Sequence, residues 1–267
     1  VGYGFLKYIL EMQIPVVHRL GNSVPGYPSQ FTPKSEFYCL AGGSKWLNDT
    51  LKEKGYVFKR TEILYPGAEV ENHYRYYLPS FNQLRICFAG LLMPYKGPQV
   101  LIQALALLHK AGIHFTCELA GDTTDPPFVE RLKAYIQECG FSSQVAFKGF
   151  LNQGELPSLF ARSNVMVFPS LVEEVFGKSQ IEAMASGLSV VSSGTGGARE
   201  IISDNVNGLT FRKNDHKDLA EKLLLIYKNP KLAEKLSRQG QTDAFRFTTL
   251  KSVRKIEEVF EKLKKNA

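Results

Sequence analysis

The sequence predicts an α/β protein whose parallel sheet is covered by helices on both faces. Three observations carry this. From residue 85 onward, short apolar runs alternate with longer amphipathic ones, as they do where strands are joined by crossover helices. In the last amphipathic run Leu219, Leu223 and Ile226 recur at helical spacing. Glycine- or acid-bearing segments follow one apolar run after another, on the side where open α/β sheets bind their ligands.

Taken in order, residues 15–18 read as a strand, 25–28 as a loop, 38–42 as a second strand and 45–54 as a short helix. Residues 63–69 read as a strand entering a turn, and the polar, aromatic stretch 71–82 suits an inter-domain linker. The repetitive part then predicts strands at 85–89, 115–120, 145–149, 165–168, 189–192 and 209–211. Between and after them it predicts helices at 99–111, 128–138, 155–161, 179–185, 198–202 and 217–228. The tail, 248–267, carries Val253, Ile256, Phe260 and Leu263 on one stripe of a basic amphipathic helix. It is expected to pack back on residues 1–82, with a membrane surface as the other use of such a helix. The chain opens at Val1, and its first residues read as the middle of a domain, so sequence upstream is expected.

Composition narrows the function. At 44% hydrophobic and 22% charged residues the chain is ordinary for a globular protein. No apolar run approaches the roughly 20 residues that cross a bilayer. A net charge of +7 suits an anionic ligand, a membrane surface or nucleic acid. No block of like charge and no nucleic-acid-binding motif supports the last. Cys39, Cys87, Cys117 and Cys139 lack metal-ligand spacing. Cys87 and Cys117 fall inside apolar runs and read as buried thiols in a reducing, cytoplasmic compartment.

The most informative stretch is 169–182. An apolar run leads into a loop with two acids, the loop ends at Phe176-Gly177, and a helical stretch follows. The helix exposes its first amides at Lys178 and Ser179, where an anion can sit. Glu174 and Glu182 are eight residues apart; on one helix they would lie about 80° apart, and with Glu174 on the loop both can flank the anion. Carboxylates accept the paired hydroxyls of a sugar well. Glu173 reads as a solvated loop acid. At the end of the first strand of the repeat, the segment from Gly90 through Lys96 to Gly97 offers a lysine that could neutralise a diphosphate leaving group. Phe150 and Leu151 could read a nucleobase, or simply end a buried strand. Residues 193–197 allow close backbone approach, yet the chain has neither G-x-x-x-x-G-K-[ST] nor, after its first strand, G-x-G-x-x-G. His18 and His73 could act as acids or bases but read first as packed or surface histidines.

With these motifs the chain resembles the retaining glycosyltransferases of family 4, of bacterial polysaccharide or glycolipid type. The resemblance is carried by YKGPQVLIQAL, FKGFL…ELPSLFARSNVMVFPS, EVFGKSQIEAMASGLSVV and GTGGAREII. It implies the GT-B fold, two Rossmann-like domains facing a cleft. Residues 83–245 resemble the nucleotide-sugar-binding C-terminal domain, 1–82 only the later part of the acceptor-binding N-terminal domain plus linker, and 246–267 the closing helix. It further implies that Glu174 contacts the donor sugar and that Glu182 binds the ribose. Amides of Phe176, Gly177, Lys178 and Ser179 would bind sugar and diphosphate beside Gly90, Lys96 the diphosphate, and Phe150 and Leu151 the base.

Two departures stand out. Leu91 occupies a place where the family commonly has arginine, leaving Arg85, Arg199 or a residue not yet seen to substitute; Gly21 stands where a histidine is common. The expected activity is metal-independent transfer of a hexose, from UDP-hexose, to a carbohydrate or lipid-linked acceptor, with no cofactor, no nucleic acid and peripheral membrane association at the inner face. The alternative is a nucleotide-sugar-binding protein that no longer catalyses.

Overall fold

A computed structural model describes residues 3–21 and 23–265. Its chain divides into two compact units, 1–68 with 247–267, and 69–246.

The first unit holds a three-stranded parallel sheet in the order β1 (Val16–Leu20), β2 (Tyr38–Gly42), β3 (Thr61–Ile63). Three helices belong to it: α1 (Tyr3–Glu11), α2 (Lys45–Glu53) and α10 (Thr249–Lys264). β2 is buried along its whole length, as the central strand of such a sheet must be. Ser44 caps α2 by accepting the Leu47 N–H at 3.2 Å. His18 packs inside this unit, its Nδ1 2.7 Å from the Tyr38 hydroxyl, and burial lowers its pKa. Helix α10 buries Val259 and Leu263 against Cys39 and Val17. Lys255 and Lys262 pair with Glu62 on β3 at 3.2 and 3.6 Å. The inward face is therefore not the whole predicted stripe: Val253 is 44% exposed. Helix α1 is absent from the sequence expectation.

The second unit contains six parallel strands: β4 (Leu84–Ala89), β5 (Phe115–Ala120), β6 (Val145–Gly149), β7 (Val165–Phe168), β8 (Ser189–Ser192) and β9 (Leu209–Thr210). Their order is β6-β5-β4-β7-β8-β9. The chain thus winds outward from β4 in one direction, then returns to β7 and winds the other way, which is the doubly wound Rossmann arrangement. The order reverses between β4 and β7, so the loops leaving these neighbours diverge and open a crevice. Crossovers are made by α4 (Pro98–Lys110), α5 (Pro126–Glu138), α6 (Leu156–Arg162) and α7 (Lys178–Ala185), and α8 (His216–Lys228) follows the last strand. β7 and β8 are buried throughout, and Cys87 and Cys117 lie in the core as reduced thiols, burial pushing Cys87 up to about 12.

Four expectations are corrected here. Residues 198–202 form no α-helix; a 3-10 turn spans Gly196–Glu200. Helix α9 (Pro230–Ala244) was not anticipated, because its polar sequence holds few apolar residues and a glycine, Gly240. Residues 71–82 are not a free linker. The short helix α3 (Val70–His73) buries His73, which packs on Phe160 at 5.6 Å between ring centres. Asn164 Nδ2 donates to the carbonyls of Ser80 and Gln83 at 2.7 and 2.6 Å. The boundary between units accordingly falls at 68/69 rather than 82/83.

Candidate functional site

The crevice between β4 and β7 gathers the charged residues of the 169–182 stretch and of the loop after β4. Lys96 ends a 3-10 turn, Pro94–Lys96, whose C-cap Gly97 has φ of 75°. A Cβ at Gly97 would sit 2.0 Å from the Pro169 carbonyl oxygen. Glycine is needed both for the left-handed backbone and for this approach, which brings Lys96 against the loop after β7. Leu171 N–H donates to the Tyr95 carbonyl at 2.8 Å and fixes the same junction.

Lys96 Nζ then lies 2.7 Å from Glu174 Oε1. The Ser170 hydroxyl donates to the same oxygen at 2.6 Å. The other side of the loop is tied to residues 193–197: Gly197 N–H donates to the Glu174 carbonyl at 2.7 Å, and Ser193 Oγ to the Ser170 carbonyl at 2.8 Å. Glu173 is exposed, as the sequence suggested, but it is also bonded to its neighbours. It accepts the Gly196 N–H at 2.5 Å and pairs with Lys213 at 3.2 Å and Arg199 at 3.6 Å. It thereby fixes the loop that carries Glu174.

Gly177, with φ of 104°, caps α7 at its N-terminus, and no side chain satisfies the helix's first amides. Lys178 opens the helix. Its Nζ stands 3.9 Å from Glu182 Oε1, too far for a hydrogen bond. Glu182 is 2% exposed and that oxygen has no hydrogen-bond partner. Burial raises its pKa, partly offset by Lys178. A buried, unpaired carboxylate oxygen is costly unless a ligand completes it.

A cavity of about 270 Å³ is lined by Gly90, Leu91, Lys96, Glu174, Gly177, Lys178 and Ser179, among others. An adjoining one of about 450 Å³ shares Gly90, Leu91 and Ser179 and adds Phe150, Leu151 and Asn152. Phe150 is 70% exposed, a bare aromatic face beside this second cavity. Eight of the ten predicted residues thus line two joined cavities. Phe176, at 4% exposure, and Glu182 are buried and line neither.

Of the cation substitutes suggested for Leu91, Arg85 is ruled out by position, and Arg199 lines neither cavity. Arg85 binds the carbonyls of Arg162 and Ser80 at 3.0 and 3.2 Å, at the far end of β4. Arg199 is engaged by Glu173. Sequence reasoning missed Ser170, although its place just ahead of the paired acids was a usable signal. Among the described residues no group of three or more His, Cys, Asp or Glu side chains could hold a metal ion, and no helix is long and apolar enough to cross a membrane.

Strand order and switch-point crevice define an α/β protein of the Rossmann-like class. Residues 78–243 match the family of glycosyl transferases group 1, and the chain belongs to that family. Its fold is of the GT-B type. An uncharacterized glycosyltransferase of Methanocaldococcus jannaschii is 28% identical over 247 residues, 91% of this chain and 65% of that protein. The D-inositol 3-phosphate glycosyltransferase of Paenarthrobacter aurescens is 27% identical over 214 residues, 75% of this chain and 51% of that protein. The chain therefore spans between half and two-thirds of these relatives. Among solved structures, Anabaena HepE in complex with UDP superposes with a TM-score of 0.85 at 21% identity, covering 97% of this chain and 75% of that one. The C-terminal domain of the Francisella tularensis group 1 protein LpcC gives 0.61 at 26% identity, over 67% of this chain and 97% of that one.

Proposed function

We propose that the protein transfers a hexose from UDP-hexose to an acceptor hydroxyl with retention of anomeric configuration. The observation that carries this is the Lys96–Glu174 contact of 2.7 Å at the switch point, beside the uncapped N-terminus of α7. In the proposed reaction the bond between the anomeric carbon and the diphosphate oxygen breaks, its electron pair staying on the diphosphate. Lys96 and the amides of Gly177, Lys178 and Ser179 neutralise that charge as it grows. The acceptor oxygen bonds to the same face of the carbon and gives its proton to the departing diphosphate. Glu174 orients the hexose hydroxyls, Glu182 takes the ribose, and Phe150 with the Leu151 backbone takes the base. No metal enters this scheme; the chain's own cations carry the charge.

The matched family and a structural neighbour that holds UDP support the reading. We propose further that the acceptor is a carbohydrate or a lipid-linked hydroxyl, met by peripheral contact with a membrane. The net charge of +7 and the exposed Leu250 and Val253 beside Lys251 and Arg254 on α10 favour that contact. Co-sedimentation with anionic vesicles tests it.

A second reading, a nucleotide-sugar binder without turnover, is favoured by Leu91, an uncharged residue on the phosphate cavity. Thermal shift with nucleoside diphosphates tests the common part. A specific ligand at 100 times its Kd adds about 2.7 kcal/mol, and UDP is expected to give the largest shift. Incubation with UDP-hexose and an acceptor panel separates the readings: glycosylated product with retained configuration supports the transferase, and binding without product supports the binder.

A further inference from the structure

Lys178 is a charged residue of this cavity with no assigned side-chain role. It lines the same cavity as Lys96 and Glu174, from the α7 side. The two lysines are held very differently. Lys96 is neutralised by a carboxylate at hydrogen-bond distance, whereas the Lys178 ammonium makes no hydrogen bond among the described residues and hovers 3.9 Å from Glu182. The Lys178 side chain is 42% exposed. Leu91, 43% exposed on the same cavity, contributes no charge. A diphosphate carries more than one negative charge, and Lys96 reaches it already shared with Glu174. The cation left to meet the excess is Lys178, which starts at the helix N-terminus where an anion is already favoured.

We propose that Lys178 is the second diphosphate-binding cation: it rests near Glu182 when the site is open and moves onto the phosphates when ligand arrives. Ribose hydroxyls then complete the Glu182 oxygen that the lysine leaves. This rests on the reading that the cavity holds the donor diphosphate, and it makes the preference for diphosphate over monophosphate depend on one flexible side chain.

The test is calorimetric titration of the full chain with UDP, UMP and uridine, comparing wild type, Lys178→Gln, Lys178→Arg and Lys96→Gln. Removing one charge-assisted contact is worth about a ten-fold or greater loss. Lys178→Gln is expected to lose about that much UDP affinity, less for UMP, and under about two-fold for uridine. Lys178→Arg keeps most of the UDP affinity. An unchanged thermal midpoint in Lys178→Gln confirms that the fold is intact, as the exposed site leads one to expect. UDP binding within two-fold of wild type, or a uridine loss as large as the UDP loss, overturns the assignment. Loss in Lys96→Gln with none in Lys178→Gln sinks only the lysine role; full UDP binding in both sinks the diphosphate reading itself.

Discussion

The loop after β7 and the helix that follows it each carry a site carboxylate, and they hold it in opposite ways. Glu174 is saturated: Lys96 and Ser170 both bind one of its oxygens, and its backbone is tied to Gly197. Glu182 is starved: it is buried, its Oε1 is unpartnered, and the one cation within 4 Å among the described residues stands off at 3.9 Å. The difference teaches how one short segment can do two jobs. A carboxylate fixed by its neighbours presents a set geometry to a reacting centre, where a misplacement on the order of 1 Å costs much of the rate. A carboxylate left short of donors gains most from hydroxyls that arrive with a ligand.

The largest effect should come from the saturated end. Glu174→Ala removes the group that orients the hexose and leaves Lys96 without its partner. We expect turnover of UDP-hexose to fall by about 10²–10³-fold, the range found for single groups that act on transition-state charge. UDP affinity should change much less, because the phosphates and ribose keep their contacts. Product formation under saturating donor measures the first and titration the second. Equal losses in both would show that Glu174 serves ground-state binding, and the contrast with Glu182 would collapse.

Next comes the junction that makes the saturated end possible. Gly97→Ala places a Cβ 2.0 Å from the Pro169 carbonyl oxygen and forces alanine to a φ of 75°. About 3 kcal/mol of stability should be lost, read by urea unfolding, with turnover falling as Lys96 is pushed from Glu174. Full turnover in that variant would mean that the Lys96–Glu174 distance is not what matters.

The starved end gives a smaller effect with a distinctive sign. The pKa of Glu182 is raised above its ordinary 4.5 by burial, so the native state holds the proton more tightly than the unfolded chain. The stability this gives is complete below 4.5 and is lost as pH rises through the folded pKa. Glu182→Gln removes that dependence. Wild type and variant should match most closely near pH 4, and the variant should become relatively more stable toward pH 8, a stability gained at the expense of function. The variant should also bind UDP more weakly and lose its preference for UDP over the 2′,3′-dideoxy analogue. Urea melts across that pH range, with paired titrations, measure both. A variant that keeps the ribose preference would show that Glu182 does not face the sugar.

Most of the second unit was legible because its strands are short, apolar and regularly spaced. The strands at 165–168 and 189–192 follow from apolar, β-branched runs buried along their whole length, and those at 115–120 and 145–149 from runs that mix apolar and polar residues, the latter at the sheet edge. The site was legible where chemistry and local backbone coincide, as at Gly177-Lys178 and Lys96-Gly97. What escaped is set by contacts distant in sequence. Nothing near Glu173 announces its bond to the Gly196 amide, 23 residues on. Nothing in the polar α9 sequence announces that Leu236, Ser237 and Gly240 face inward. Residues 71–82 lack a period because they follow the second unit's surface, held by side chains such as Asn164 rather than by their own pattern.

The smallest predicted effect lies outside the site and serves as its control. In the first unit Thr248 caps α10, accepting the Lys251 N–H at 3.3 Å. Losing such a cap costs about 1 kcal/mol, and a bond this long belongs toward the lower end. Thr248→Ala should therefore lower stability by about 0.5–1 kcal/mol, because α10 packs Val259 and Leu263 against Cys39 and anchors two lysines on Glu62. UDP affinity should be unchanged, since every residue assigned to the nucleotide lies in the other unit. Calorimetric unfolding adds a finer reading. If the units melt separately, only one transition should move, and UDP should move only the other. One transition that responds to both the substitution and the nucleotide would show that the units unfold together, and stability losses could then no longer be assigned to one unit by their response to ligand.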